Sequence, residues 1–198
     1  MSRTIICAII RTYKDFGSYM RRNRKLTILI LLAIGEIIVF SILNTEAESR
    51  YLEYAESNMP EYSGLFAFIF FENLGTMLRM LAAGLIPLGL GSLFMTYLVI
   101  RNLTAAIKWF LLYIPPKEIL LLLLPHSLLE IPAVILTMMV SFYLSRESTI
   151  LLYRLIFKRE KLPQTAADLR TLCMMVVLGI LPGVLGAAVL ECWPGGMM

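Results

Sequence analysis

His126, the only histidine of the chain, stands four residues before Glu130 in Leu120-Leu121-Leu122-Leu123-Leu124-Pro125-His126-Ser127-Leu128-Leu129-Glu130-Ile131-Pro132-Ala133. On a helix that spacing puts imidazole and carboxylate on one face. Such a pair can pass a proton, hold a ligand or clamp two helices together. The surrounding residues narrow the choice. A single histidine excludes paired ligation of the His-Glu-x-x-His kind. No serine sits in a glycine elbow, and Ser127 points away from its neighbour His126 if the segment is helical. Cys7, Cys173 and Cys192 have no zinc or redox spacing. No catalytic residue, metal site or cofactor is therefore expected, and the chain does not read as an enzyme. His126 and Glu130 read either as a structural polar clamp or as a proton- or ligand-handling pair.

The elements that position this pair are membrane helices. The chain is 59% hydrophobic and 16% charged, where soluble domains carry roughly 25% charged residues. Several apolar runs approach the roughly 18 residues that mark a transmembrane helix. The fold class is all-α: one polytopic transmembrane bundle over residues 1–198, about five spans, with kinked Gly/Pro-containing helices and an N-terminal amphipathic interfacial helix. The net charge of +4 is no nucleic-acid signal, because the basic residues flank apolar spans. It is a topology signal.

Residues 1–25 carry seven basic residues against Asp15, with Ile5, Ile6, Ile9, Ile10, Tyr13 and Phe16 at helical spacing. This predicts a helix on the cytoplasmic face; a solvated basic tail is the alternative. The first span is Leu26–Leu43, with Glu36 inside it. An uncleaved anchor is expected rather than a signal peptide. Residues 44–63, rich in glutamate, read as an external loop. A short interfacial or re-entrant piece over 63–72 is expected to break at Glu72-Asn73-Leu74-Gly75. The second span then runs from about 75 to 100, with Gly84, Pro87, Gly89 and Gly91 as kink and packing positions and Arg79 near its outer end. Arg101-Asn102 marks a return to the cytoplasm. Residues 103–114 form a short third span or a re-entrant half-helix ended by Pro115-Pro116. The fourth span, about 118–144, holds the motif, where Pro125 and Pro132 free carbonyls. Residues 145–170 form a second basic cytoplasmic segment, and Leu172–Leu190, with Gly179, Pro182, Gly183 and Gly186, is the fifth span.

The distribution of basic residues predicts a cytoplasmic N-terminus and an external C-terminus. Gly84-x-x-Pro87 and Gly179-x-x-Pro182 lie in spans of opposite direction. They read as an inverted repeat around a transport site or as a common packing device. Glu36 and His126 fall at similar depth, roughly 12 Å and about 13–14 Å below the outer interface. Direct packing of the first span on the fourth, with Glu36 paired to His126, is therefore expected.

Pro125-His126-Ser127-Leu128-Leu129-Glu130-Ile131-Pro132-Ala133 resembles the Pro-His-Gly-x-x-Glu motif, followed by an apolar residue, proline and alanine, of the stage II sporulation protein M family. The likeness in layout extends from about Arg21 to Leu190. Ser127 replaces a frequent glycine, and Arg101-Asn102-Leu103 keeps the asparagine but not the glycine of the family's Asn-Gly turn. The resemblance marks His126 and Glu130, with Asn73 and Asn102, as motif residues. It implies a small multispanning membrane protein whose namesake works with peptidoglycan-degrading partners during spore engulfment. Two functions are expected from the residues and the resemblance together. One is a membrane scaffold or assembly subunit contacting lipid and protein partners such as cell-wall hydrolases. The other is a permease or transporter-associated subunit, using Glu36, His126 and Glu130 beside an ATPase subunit.

Overall fold

The computed structural model describes residues 2–46, 65–113, 115–157 and 162–191. Seven α-helices are described: α1 (Ser2–Arg22), α2 (Arg24–Asn44), α3 (Leu65–Ala83), α4 (Leu90–Tyr113), α5 (Pro116–Phe157), α6 (Leu162–Met175) and α7 (Leu181–Glu191). A short 3-10 turn (Pro87–Gly89) precedes α4, and a π-helical segment (Val176–Ile180) joins α6 to α7. No strand occurs among the described residues. The acidic segment 44–63, beyond Glu46, lies outside them, as do 158–161 and the tail with Cys192. Four helical stretches are long and apolar enough to cross a membrane: Arg24–Asn44, Pro87–Tyr113, Leu128–Phe157 and Ala166–Leu190. The 19-residue α3 is not among them and packs against α4, α5 and α7.

Three boundaries differ from the sequence expectation. Glu72-Asn73-Leu74-Gly75 does not break the chain; it lies inside α3. The break comes at 84–89, where Leu88 (φ 66°) and Gly89 (φ 77°) are left-handed. Residues 90–113 are then one helix running straight through Arg101-Asn102, so neither the cytoplasmic return at 101–102 nor a separate third span over 103–114 exists. The physical reason is local. Gly84 and Pro87 both oppose helix continuation, whereas Arg101 and Asn102 impose only a small propensity cost that an apolar helix absorbs. Pro116 occupies the first position of α5, where its missing N–H costs nothing. α5 continues through Pro125 and Pro132 for 42 residues, about 63 Å at the α-helical rise.

α5 is the hub and touches α3, α4, α6, α7, the 84–89 turn and the π segment. Val140, Tyr143, Met80, Leu172 and Met175 are fully buried around it. α2 packs on α4 and runs parallel to it. Leu26 and Gly89 line the same groove, the rings of Phe40 and Tyr97 are 6.3 Å apart, and Lys108 Nζ donates to the carbonyls of Ile42 and Thr45. That lysine caps the last turn of α2, where carbonyls lack helical partners. At the other end α1 packs on α6 and the π segment as well as on α2. The N-terminal helix thus exists, and it is docked against the bundle through Phe16 and Tyr19, leaving Ile6, Ile10 and Tyr13 exposed.

Candidate functional site

The motif lies on α5 at the level where this helix meets α7. A Cβ built on Gly183 would stand 3.1 Å from Ala133 Cβ, and one on Gly186 would stand 2.9 Å from Leu129 Cδ1. Small residues therefore set the approach of the two helices, with Ala133, Val184, Ala187 and Ala188 buried between them. The Pro132-Ala133 end of the motif is a packing surface for the last helix, and Glu130 sits half-buried beside it. His126 is on the same helix, but its side chain lies outside the described residues. Pro182 is the second residue after the π segment. The wide turn at 176–180 accommodates its missing N–H and bulky ring without ending the helix.

The expected Glu36–His126 pair is not supported. α2 packs on α4 rather than along α5, and Glu36 is exposed on the outer face of α2. Equal depth along two helices does not make them neighbours, and α2 is the neighbour of α4. Asn102 is exposed midway along α4, and Asn73 is half-buried on α3. Arg79 is exposed one turn before the 84–89 break, at the α1 end rather than the opposite one, and donates to its own helix at Gly75 O and Thr76 Oγ1. These residues do not converge.

Two polar constellations do converge, and both escaped the sequence reading. The first is a hydroxyl ladder on α5 at intervals of four: Thr137, Ser141, Ser145 and Thr149. Ser141 Oγ donates to Met80 O at 2.7 Å and shares a hydrogen with Ser92 Oγ. Ser145 Oγ donates to Ile86 O and accepts from Gly89 N–H, and Thr149 Oγ1 accepts from Leu88 N–H. Backbone groups freed by the helix break thus find partners, as buried amides require. Gly84 and Gly91 permit the approach. A Cβ on Gly84 would lie 2.5 Å from Ser141 O, and one on Gly91 would lie 2.3 Å from Ala83 O. The sequence signal was the four-residue hydroxyl spacing opposite a Gly/Pro-rich segment.

The second constellation joins α1 to α5 and α6. Glu147 is 1% exposed and accepts from Tyr19 Oη at 2.7 Å and from Arg146 Nη1. Tyr19 packs edge-on against Tyr143, whose hydroxyl meets Thr27 Oγ1 at 2.6 Å. Arg22 lies over the Tyr19 ring and pairs with Asp168 at 2.6 Å. Burial, then the hydrogen bond and charge of Glu147, push the Tyr19 phenol far above the ordinary tyrosine range. This neutral donor and the Arg146 guanidinium satisfy a carboxylate that would otherwise be buried unpaired. The arrangement locks three helices.

The gene product defined by these helices is a multi-pass membrane protein, an all-α bundle tied by polar contacts at one end. Residues 26–193 match the model of stage II sporulation protein M. The chain belongs to that family, and so to a group of sporulation-related membrane proteins. No curated protein matches the chain, and no solved structure matches it.

Proposed function

We propose that the protein is a scaffold subunit of a membrane complex, holding partner proteins and carrying out no reaction of its own. The observation that carries this reading is Glu36. α2 is the least enclosed of the four candidate spans, with 17% of its apolar window buried against 28%, 44% and 39% for the others. Its outward face nevertheless carries a carboxylate. An ionisable side chain at membrane depth is costly and normally faces protein or water. A face of Leu32, Glu36, Val39 and Leu43 is therefore best satisfied by a partner helix that donates to Glu36. Family membership supports a partner in cell-wall remodelling, the class that the resemblance implies. The permease reading loses two supports. Glu36 does not line an interior path, and Gly84–Pro87 is an inter-helix turn while Gly179–Pro182 lies within a continuous helix, so the two segments are not counterparts.

The test is co-purification in mild detergent combined with a photo-crosslinking residue at position 36. A cell-wall hydrolase or its membrane anchor that co-purifies with the wild type, crosslinks from position 36 and is lost in Glu36→Leu supports the scaffold. Unchanged partners in Glu36→Leu refute this role for α2, and an ATPase subunit as the stoichiometric partner favours transport. The pure protein is expected to hydrolyse neither peptide nor glycan. Turnover by the pure wild type that disappears in Glu130→Gln would overturn the non-enzymatic reading.

A further inference from the structure

At the α1 end, α2, α4 and α5 border a groove of about 330 Å³, within the size range of small-ligand sites. Leu26, Ile30 and Ala33 form one wall, and Leu93 and Phe142 form the other. Arg146 and Thr149 close one end. The groove is thus an apolar slot with one cationic terminus. Its rim residue Leu29, within the α2 span, is 63% exposed, so the groove opens on the lateral surface of the bundle, where the surrounding medium is lipid. Arg146 pairs with Glu147 through Nη1 beside Tyr19, and its side chain is 34% exposed. A guanidinium has five N–H donors in a fork suited to phosphate. Arg24 and Lys25, both exposed, begin α2 immediately before Leu26 and add positive charge at the same end.

We propose that this groove is a binding site for one anionic phospholipid, its acyl chain against Ala33, Leu93 and Phe142 and its phosphate on Arg146. The match is in charge and in order. The basic groups lie at the end of α2 where its apolar stretch begins, as headgroup and chain do in a lipid, and Arg146 is placed where an apolar chain would end. Glu147 offsets the charge of Arg146, so the net positive charge at this end is that of Arg24 and Lys25. A neutral lipid would fill the slot without compensating it. The site therefore selects by headgroup.

The experiment is native mass spectrometry of the delipidated full chain in detergent, titrated with palmitoyl-oleoyl phosphatidylglycerol or palmitoyl-oleoyl phosphatidylcholine. The wild type should retain one phosphatidylglycerol in preference to phosphatidylcholine. Ala33→Phe, which fills the slot, should abolish that first tight binding event. Arg146→Gln with Glu147→Gln, which keeps the buried site neutral and an acceptor for Tyr19, should lose on the order of fivefold of the preference. Equal retention of the two lipids by the wild type, or unchanged phosphatidylglycerol binding in folded Ala33→Phe, overturns the proposal. If Ala33→Phe does not fold, Leu93→Trp at the exposed rim obstructs the same space and is read the same way.

Discussion

A carboxylate with no solvent is held by two donors in this protein, and each can be removed singly. Tyr19→Phe deletes the hydroxyl that meets Glu147 at 2.7 Å while keeping the ring packed on Tyr143. Leaving a buried acceptor short of a donor costs about 1–3 kcal/mol, and the midpoint of unfolding in a detergent–denaturant titration should fall accordingly. The pH dependence has a defined sign. The folded phenol has a raised pKa, while the unfolded one ionises near pH 10. This contribution is complete below pH 10 and is lost as pH rises from there toward the folded value. The alkaline loss of stability should therefore be shallower in Tyr19→Phe than in the wild type. Equal alkaline slopes would show that Tyr19 does not titrate with unfolding.

At the level of elements, the 84–89 turn depends on two absent side chains and a hydroxyl ladder. Gly84→Ala puts a methyl against the backbone of Ser141, and Gly91→Ala puts one against Ala83 O. Neither neighbour is a flexible side-chain end, so each substitution should destabilise by about 1–3 kcal/mol. Gly17→Ala meets nothing within 4 Å and should instead stabilise α1 by about 0.5–1 kcal/mol. The contrast is measurable in one set of thermal-unfolding curves, and a similar loss for all three would refute the packing argument. Helix class and the basic N-terminal helix were legible because apolar run length and charge placement are local properties, whereas Gly84 and Pro87, read as a kink within one span, instead end α3 in a turn. The partners were not. Glu147 is one of several acidic residues in a charged stretch, and nothing in that stretch says that Tyr19, 128 positions earlier, will cover it. The placement of Arg101-Asn102 failed for a related reason. Polar residues resemble a boundary in a hydropathy outline, but only a backbone that cannot stay helical makes one, and that backbone lies at Leu88-Gly89.

For the whole molecule, the 84–89 turn lies at the same end as α1, since Leu88 N–H bonds to Thr149 and the nearby α5 residue Glu147 bonds to Tyr19. The opposite end holds Thr45, the Tyr113–Pro116 connection and the start of α5. Arg11, Lys14, Arg21, Arg22, Arg24, Lys25, Arg146 and Arg154 all belong to the first end, while Glu46, Glu48, Glu53, Glu56 and Glu61 follow the far end of α2. Basic residues beside short loops are retained in the cytoplasm, so the α1 end is expected to face inward and the C-terminus outward. Leu88 is the decisive position. It is 76% exposed at the turn, whereas a continuous second span over 75–100 would bury it at mid-membrane. In a chain with Cys7, Cys173 and Cys192 replaced by serine, Leu88→Cys should react with a membrane-impermeant maleimide only in inside-out vesicles. A cysteine in place of Pro115 should react only in right-side-out cells, and a reporter fused after Met198 should behave as external. Labelling of Leu88→Cys from the outside would invert the orientation, and a cytoplasmic reporter after Met198 would require an even number of crossings.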